Sequence, residues 1–216
     1  MLLVSVHTPK AGGTSVGAIL RKAYGGTFRN EDSFNPADPL SAANVSDGPM
    51  LSVKATVDDG IECLHGHFAP RQIAFDDSAR LFTLLRDPVD NAVSIYFYWK
   101  SADHAYDRLH EAVLNNRLDI FEFARLPLIQ RLYSETYFGR FDMGRFDVIG
   151  RHEARVAALT RLSGMIGREL DINIVENVTP VRSDRHNFLA DLTAVRRLGD
   201  LLIEDMRFYD RYGDRT

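Results

Sequence analysis

The sequence contains a single cysteine, Cys63, so no disulfide can form within these 216 residues. It has no run of about eighteen apolar residues, so no membrane-spanning helix is predicted. Its first residues lack the basic lead and the cleavage site of a signal peptide. The net charge of −4 gives no basic excess, and we expect no general nucleic-acid binding. These absences together predict a cytoplasmic protein.

Hydrophobic residues make up 45% of the chain and charged residues 26%, as in ordinary globular proteins. The length suits one domain, which we take as residues 1–216. Short apolar runs alternate with segments of helical periodicity, which predicts a three-layer α/β/α fold with a mainly parallel sheet. Among the local predictions are helices over 69–77 and 127–137, a short strand over 172–175 and a loop over 25–50.

The most informative segment is an apolar run, residues 2–6, followed by a glycine turn, residues 7–13. The run predicts a buried strand, and a helix is expected to begin at Thr14 or Ser15. Unpaired N–H groups at a helix start favour a bound anion. Lys10 precedes both glycines, whereas in the standard nucleotide-triphosphate loop the lysine follows them. A plain strand-to-helix turn is the alternative to an anion site.

A second segment has an arginine at the end of an apolar run. Residues 81–85 predict a buried strand, which Arg86 follows directly. Asp87 suits the N-cap of a helix in which Ser94 lies two turns further on. Because ligands bind outside the carboxyl ends of parallel strands, Arg86 is expected near the glycine turn, where a guanidinium suits a phosphate. The alternative is an ion pair between Arg86 and Asp87 that only caps the helix.

Two histidines lie in the alternating run 61–67. Cys63, His65 and His67 could share one face of a strand, which raises a zinc site as an alternative. The strand rise would separate the outer two by about 13 Å, and no fourth ligand is evident. We therefore expect one histidine to be structural and the other to face the cleft.

Three motifs, in this order along the chain, resemble those of sulfotransferases, in the carbohydrate branch that includes the Golgi-type hexuronic-acid 2-O-sulfotransferases. PKAGGTS at residues 9–15 resembles the 5′-phosphosulfate loop of that family. LHGH at 64–67 resembles its H-G-H stretch, and LRDP at 85–88 with Ser94 resembles its 3′-phosphate segment. The motifs cover less than half of the chain. Without the membrane anchor of the Golgi members, the resemblance is to a soluble bacterial-type member.

The resemblance implies a P-loop-like nucleotide-binding fold and a donor, 3′-phosphoadenosine 5′-phosphosulfate (PAPS), with 3′-phosphoadenosine 5′-phosphate (PAP) as product. The sulfuryl group would pass to an acceptor hydroxyl, expected on a carbohydrate. Lys10 would contact the oxygen between phosphate and sulfate, and His67 would be the catalytic base. The 5′-phosphate would be held by the loop residues Ala11, Gly12, Gly13, Thr14 and Ser15.

For the 3′-phosphate, the resemblance implies contacts from Arg86 and Ser94. A later segment of the family closes over the nucleotide, and here Arg182 or Arg185 would reach the 3′-phosphate or the adenine. The loop departs from the common form of the family at two positions. Ala11 stands where a threonine is frequent, and Gly13 stands where a serine is frequent.

Two other functions share parts of this pattern. An ATP-dependent, kinase-like phosphotransferase would also use an anion loop, but the lysine and glycines are in the wrong order. No evident Asp/Glu cluster would hold magnesium, so we expect no metal. A non-catalytic nucleotide-binding module would keep the pocket without turnover, although Lys10 and His67 argue against it. The sequence identifies neither the acceptor nor the oligomeric state.

Overall fold

The computed structural model describes residues 1–31, 55–58, 60–101, 108–176 and 183–213. The strands are β1 (Leu3–Val6), β2 (Phe28–Glu31), β3 (Ala55–Thr56), β4 (Cys63–Gly66), β5 (Ile73–Ala74), β6 (Arg80–Leu85) and β7 (Val148–Arg151). The α-helices are α1 (Gly13–Tyr24), α2 (Pro88–Trp99), α3 (Arg108–Asn115), α4 (Ile120–Ala124), α5 (Pro127–Gln130), α6 (Arg155–Ile166), α7 (Ser183–Ala190), α8 (Leu192–Leu201) and α9 (Ile203–Tyr212). Within these ranges, no helix has the length and apolar character needed to cross a membrane.

Five strands form one parallel sheet in the order β2-β4-β1-β6-β7, and β3 pairs with β5 separately. The first strand of the chain therefore lies in the middle of the main sheet. The chain builds one side of β1 with β2 and β4 and then crosses to build the other side with β6 and β7. The carboxyl end of β1 lies where this order reverses, which is where open α/β sheets bind their ligands.

Helices cover both faces of this sheet. Because side chains alternate along a strand, neighbouring residues enter different cores. Leu3 and Phe82 pack with α1 and α6 on one face, whereas Val4 and Leu81 pack with α2, α4 and α9 on the other. The predicted three-layer α/β/α fold is confirmed, and every strand pairing among the described residues is parallel.

Three predictions in the N-terminal half are wrong. The first helix begins at Gly13 rather than at Thr14 or Ser15. The predicted helix over 69–77 is a 3₁₀ turn at Pro70–Gln72 that runs into β5. The predicted loop over 25–50 begins with a 3₁₀ turn at Gly25–Thr27 and a strand, β2, which lies at the sheet edge and has a mostly polar sequence. The rest of that loop, residues 32–50, lies outside the described residues.

Two predicted elements in the second half also differ. The predicted helix over 127–137 is broken at Arg131, which has a φ of −130°, and a π-helix follows at Leu132–Tyr137. The predicted strand over 172–175 is absent, and these residues form a turn and irregular backbone. Ile172 and Ile174 pack against the core beside α1 and α6. Their alternation therefore reflects packing against that core rather than a strand ladder.

The π-helix is held by Asp205 of α9, which is buried. Its carboxylate accepts hydrogen bonds from the N–H groups of Tyr133 (2.8 Å) and Ser134 (2.9 Å) and from the Ser134 hydroxyl (2.6 Å). Burial raises the pKa of Asp205, although these hydrogen bonds oppose the rise. The Tyr133 hydroxyl donates to the carbonyl of Arg86 (3.1 Å) and accepts from its N–H (3.2 Å). Helix α9 thus supports the carboxyl end of β6.

Replacing Asp205 by alanine is expected to lower the free energy of unfolding by about 3 kcal/mol, because buried donors lose their acceptor. Asp210→Ala is the matched control, since Asp210 is an exposed residue of the same helix. The control should change stability by less than about 0.5 kcal/mol. Urea unfolding followed by circular dichroism measures both. Equal losses in the two variants would contradict the supporting role of Asp205.

Candidate functional site

The turn between β1 and α1 has two residues with left-handed backbone. Lys10 has a φ of 57° and Gly12 a φ of 86°. Gly12 caps α1, and a Cβ there would lie 3.1 Å from Nδ1 of His152. The turn therefore places two left-handed residues directly before the N-terminus of a twelve-residue helix, whose first N–H groups favour an anion.

Gly13, the first residue of α1, packs directly under the ring of His7. A Cβ at Gly13 would lie 1.7 Å from Cδ2 of His7. No side chain can occupy this position unless the His7 ring moves away. Glycine at this place is therefore required by packing, and the contact joins the end of β1 to the start of α1.

Arg86 connects the second segment to the turn. Its Nη1 donates to the carbonyl of Lys10 (2.8 Å) and to the hydroxyl of Ser94 (3.3 Å). Beside it, Asn91 Nδ2 donates to the carbonyl of Pro9 (2.7 Å). Arg86, just before α2, and Asn91, within it, thus bind two successive carbonyls of the turn. Lys10 and Arg86 lie at the same rim of the sheet.

The partner of Arg86 is Asp90, one helical turn further along α2. Nε and Nη2 of Arg86 both lie 2.7 Å from Oδ2 of Asp90, whereas Asp87 accepts from the N–H of Asp90 and caps the helix. Arg185 of α7 donates from Nη2 to Oδ1 of Asp90 (2.5 Å). Burial would raise the pKa of Asp90, but the charges and hydrogen bonds of the two arginines outweigh it and hold the pKa below its usual value.

Lys10 lies among these positive charges. Burial lowers the pKa of Lys10, and the charges of Arg86 and Arg185 lower it further. Its Nζ lies 4.1 Å from the centroid of the Tyr98 ring, in cation–π contact. The lysine therefore occupies a positive, partly desolvated position, in which an anionic ligand would be favoured.

Three histidines stack at the carboxyl ends of β1 and β4. The His7 ring lies between the other two, with centroids 3.8 Å from His67 and 5.2 Å from His65. His65 Nε2 lies 3.1 Å from the carbonyl of Gly13, which can only accept, so Nε2 donates there, and Nδ1 is hydrogen-bonded to the Ser5 hydroxyl at 2.9 Å. His65 is therefore the structural histidine expected from the sequence.

His67 differs from His65 in its surroundings. It follows β4 and is half-buried. Its Nδ1 lies 3.2 Å from the hydroxyl of Tyr137, at the end of the π-helix. The His67 ring is joined to the glycine turn through His7, because the His7 ring packs against both His67 and Gly13. His67 therefore lies beside the turn, in contact with the Tyr137 hydroxyl and the His7 ring.

The structure brings most of the predicted site residues together at this rim. The turn and its surroundings contain Lys10, Ala11, Gly12, Gly13, Thr14, Arg86, Ser94 and Arg185. The Ser15 hydroxyl is instead hydrogen-bonded to the backbone of Glu176. It donates to the carbonyl (3.2 Å) and accepts from the N–H (2.9 Å). Arg182 lies outside the described residues.

Sequence reasoning missed three residues of the site. Asp90 lies four residues after Arg86, a spacing at which helical side chains meet. Asn91 binds the turn directly, but nothing in its local sequence indicates this. His152 follows β7 at the carboxyl edge of the sheet, a position at which ligand-binding residues are expected. Burial and then the charge of Arg86 lower the pKa of His152.

Within the part of the chain that the structure describes, no group of three or more histidine, cysteine or acidic side chains is arranged to hold a metal ion. Cys63 is buried in the core on the side of α1 and α6. Burial raises the pKa of its thiol well above the usual value.

No protein-family model matches the chain, and no curated protein matches its sequence. Among solved structures, the chain is similar to a sulfotransferase from Alicyclobacillus acidocaldarius, at 14% identity and a TM-score of 0.45, over 97% of this chain and 98% of the other. It is also similar to mouse sulfotransferase SULT7A1 complexed with PAP, at 12% identity and a TM-score of 0.48, over 97% of this chain and 85% of the other. With TM-scores this low, we base the function on the chain's own residues.

Replacing Gly13 by alanine is expected to destabilise the protein by about 2 kcal/mol, because the new Cβ overlaps the His7 ring. Gly164→Ala is the matched control, since Gly164 is also helical and a Cβ there meets nothing within 4 Å. That substitution should stabilise by about 0.5–1 kcal/mol through helix propensity. Urea unfolding of both variants measures the difference. A stabilised Gly13→Ala variant would contradict the close packing of His7.

Proposed function

We propose that this protein is a sulfotransferase that moves the sulfuryl group of PAPS to an acceptor hydroxyl on a carbohydrate. The observation that carries the proposal is the hydrogen bond from Arg86 to the carbonyl of Lys10. It brings two cationic segments, each with a motif for one end of the donor, to one rim of the sheet. The resemblance of both motifs, and of the H-G-H stretch, to the same family supports this function over other anion-binding functions.

The turn suits the 5′-phosphate end of the donor. Its left-handed residues lead directly into the start of α1, which offers backbone N–H groups to an anion. We assign this contact to the backbone of residues 11–15 and to the Thr14 hydroxyl. Ser15 contributes only its backbone, because its hydroxyl is bound to Glu176.

The second cluster suits the 3′-phosphate. Arg86, Arg185 and Ser94 present two guanidinium groups and a hydroxyl close together. Nε of Arg185 is buried and has no hydrogen-bond partner among the described residues. A buried N–H without an acceptor is unfavourable, and a phosphate oxygen would supply that acceptor. Arg182, which lies outside the described residues, stays a proposed contact of the same phosphate or of the adenine.

Bound PAPS would supply an activated sulfuryl group on a good leaving oxygen. Sulfuryl transfer resembles phosphoryl transfer, in which negative charge grows on that oxygen. We assign Lys10 to stabilise this charge, and its lowered pKa makes it a readier proton donor. His67 would take the acceptor proton at Nε2, while Tyr137 and the stacked His7 orient its ring.

The first test is nucleotide binding. PAP is expected to raise the melting temperature of the protein, and AMP, which lacks the 3′-phosphate, is expected to raise it much less. Arg86→Gln should remove most of this difference, whereas Arg155→Gln, at an arginine outside the cluster, should keep it. Differential scanning fluorimetry measures all of these shifts. Equal shifts with PAP and AMP would contradict the assignment of Arg86 and Ser94.

A third ligand in the same assay, ATP with magnesium, distinguishes the proposed sulfotransferase from the kinase-like phosphotransferase. ATP with magnesium should stabilise the protein less than PAP does, because ATP lacks the 3′-phosphate. A larger shift with ATP and magnesium, together with transfer of its terminal phosphate, would favour a phosphotransferase.

The second test is turnover. His67→Ala is expected to lower sulfuryl transfer from labelled PAPS by about 10²–10⁴-fold, because the acceptor loses its base. PAP affinity, measured by calorimetry, should stay nearly unchanged. His186→Ala, at an exposed histidine, is the control and should keep full activity. Unchanged turnover in His67→Ala would exclude His67 as the base, and an absence of turnover with every acceptor pool would favour a non-catalytic module.

A further inference from the structure

Asp90 bridges the two arginines that we assign to the 3′-phosphate. Its Oδ2 accepts from Nε and Nη2 of Arg86, and its Oδ1 accepts from Nη2 of Arg185. The Arg86 side chain is only 12% exposed. A planar carboxylate with one oxygen on each guanidinium makes the contacts that a phosphate makes in such a site.

The contacts of Arg86 leave little capacity for a second anion. Nε and Nη2 bind Asp90, and Nη1 binds Lys10 and Ser94. Four of the five N–H groups of the guanidinium are therefore engaged, and its Nε–Nη2 edge is taken by Asp90. A phosphate that binds Arg86 through this edge must take the place of the Asp90 carboxylate.

A purely structural role does not account for this placement. Asp87 already caps α2 by accepting from the N–H of Asp90, so the Asp90 carboxylate is not needed as a cap. An exposed ion pair contributes little to stability, but Arg86 is almost buried here. The carboxylate neutralises positive charge that would otherwise lie partly desolvated on the two guanidinium groups.

We propose that Asp90 is an internal counter-ion that occupies the 3′-phosphate position of the nucleotide-free protein and recaptures Arg86 and Arg185 when the product PAP leaves. This inference rests on the proposed function. The dianionic phosphate displaces the singly charged carboxylate, whereas a nucleotide without a 3′-phosphate leaves the bridge intact. Asp90 thereby weakens PAP binding and accelerates product release, and it acts as a positioning residue through the two arginines.

The test is the affinity of Asp90→Asn for two ligands, measured by isothermal titration calorimetry. PAP carries the 3′-phosphate, and adenosine 5′-phosphosulfate lacks it. Asp90→Asn should bind PAP about tenfold more tightly than the original protein, with a correspondingly slower dissociation in stopped-flow measurements. Its affinity for adenosine 5′-phosphosulfate should change by less than about twofold. A residue with only a structural role would not tighten binding when it is removed.

Asp171→Asn is the matched control. It removes the same charge from an exposed ion pair with Lys22, outside the cluster, and should leave both affinities unchanged. If Asp90→Asn folds poorly without ligand, Asp90→Ser removes the same carboxylate, and PAP should raise its melting temperature more than that of the original protein.

Weaker or unchanged PAP binding by the Asp90 variants would overturn the inference, because Asp90 would then only position the arginines. The inference would also be overturned if Asp90→Asn bound both ligands more tightly to the same extent, or if Asp171→Asn bound PAP equally more tightly. Either result would show a general effect of the lost negative charge. Failure of the proposed function gives a different result. The original protein would then show no preference for PAP over AMP, whatever the Asp90 variants do.

Discussion

The hydrogen bond between the Arg86 guanidinium and the carbonyl of Lys10 is the contact on which the site depends. It is charge-assisted, 2.8 Å long, and joins residues 76 positions apart. Without it, the glycine turn and the segment of Arg86 would be two separate positive features of the sheet rim, each able to serve an unrelated purpose. Asn91 adds a second bond to the same turn. Together they set the distance between the two cationic segments, and a ligand with negative groups at both ends requires a fixed distance.

The parts of the fold and site that local sequence determines could be predicted. The buried apolar runs correctly predicted β1 and β6, and Asp87 followed by Pro88 predicted the start of α2. The meeting of Lys10 and Arg86 followed from a general property of parallel sheets, whose strand ends share one edge. The sequence also predicted that one histidine of the pair is structural, without saying which, and the contacts of His65 fit that description. Each of these inferences needed only the chain near the residue concerned and one rule of α/β architecture.

The remaining features depend on contacts between distant segments. The strand predicted over 172–175 failed because apolar alternation arises equally from packing on α1 and α6. The helix predicted over 127–137 failed because Asp205, about seventy positions later, binds the N–H groups of Tyr133 and Ser134. The stacking of His7 on His67 likewise needs two segments that lie sixty positions apart. Asp90 could have been found from its spacing to Arg86, but its bond to Arg185 could not.

The central place of β1 affects how the protein forms during synthesis. This strand is made before its neighbours in the sheet, β4 and β6, which emerge some sixty and eighty positions later. The hydrogen bonds of Tyr133 to Asp205 and to Arg86 form later still, because Asp205 follows β6 by more than a hundred positions. The central strand therefore has no partner on either side until β4 and then β6 have been made, and the rim at its carboxyl end is complete only after both halves of the sheet have formed.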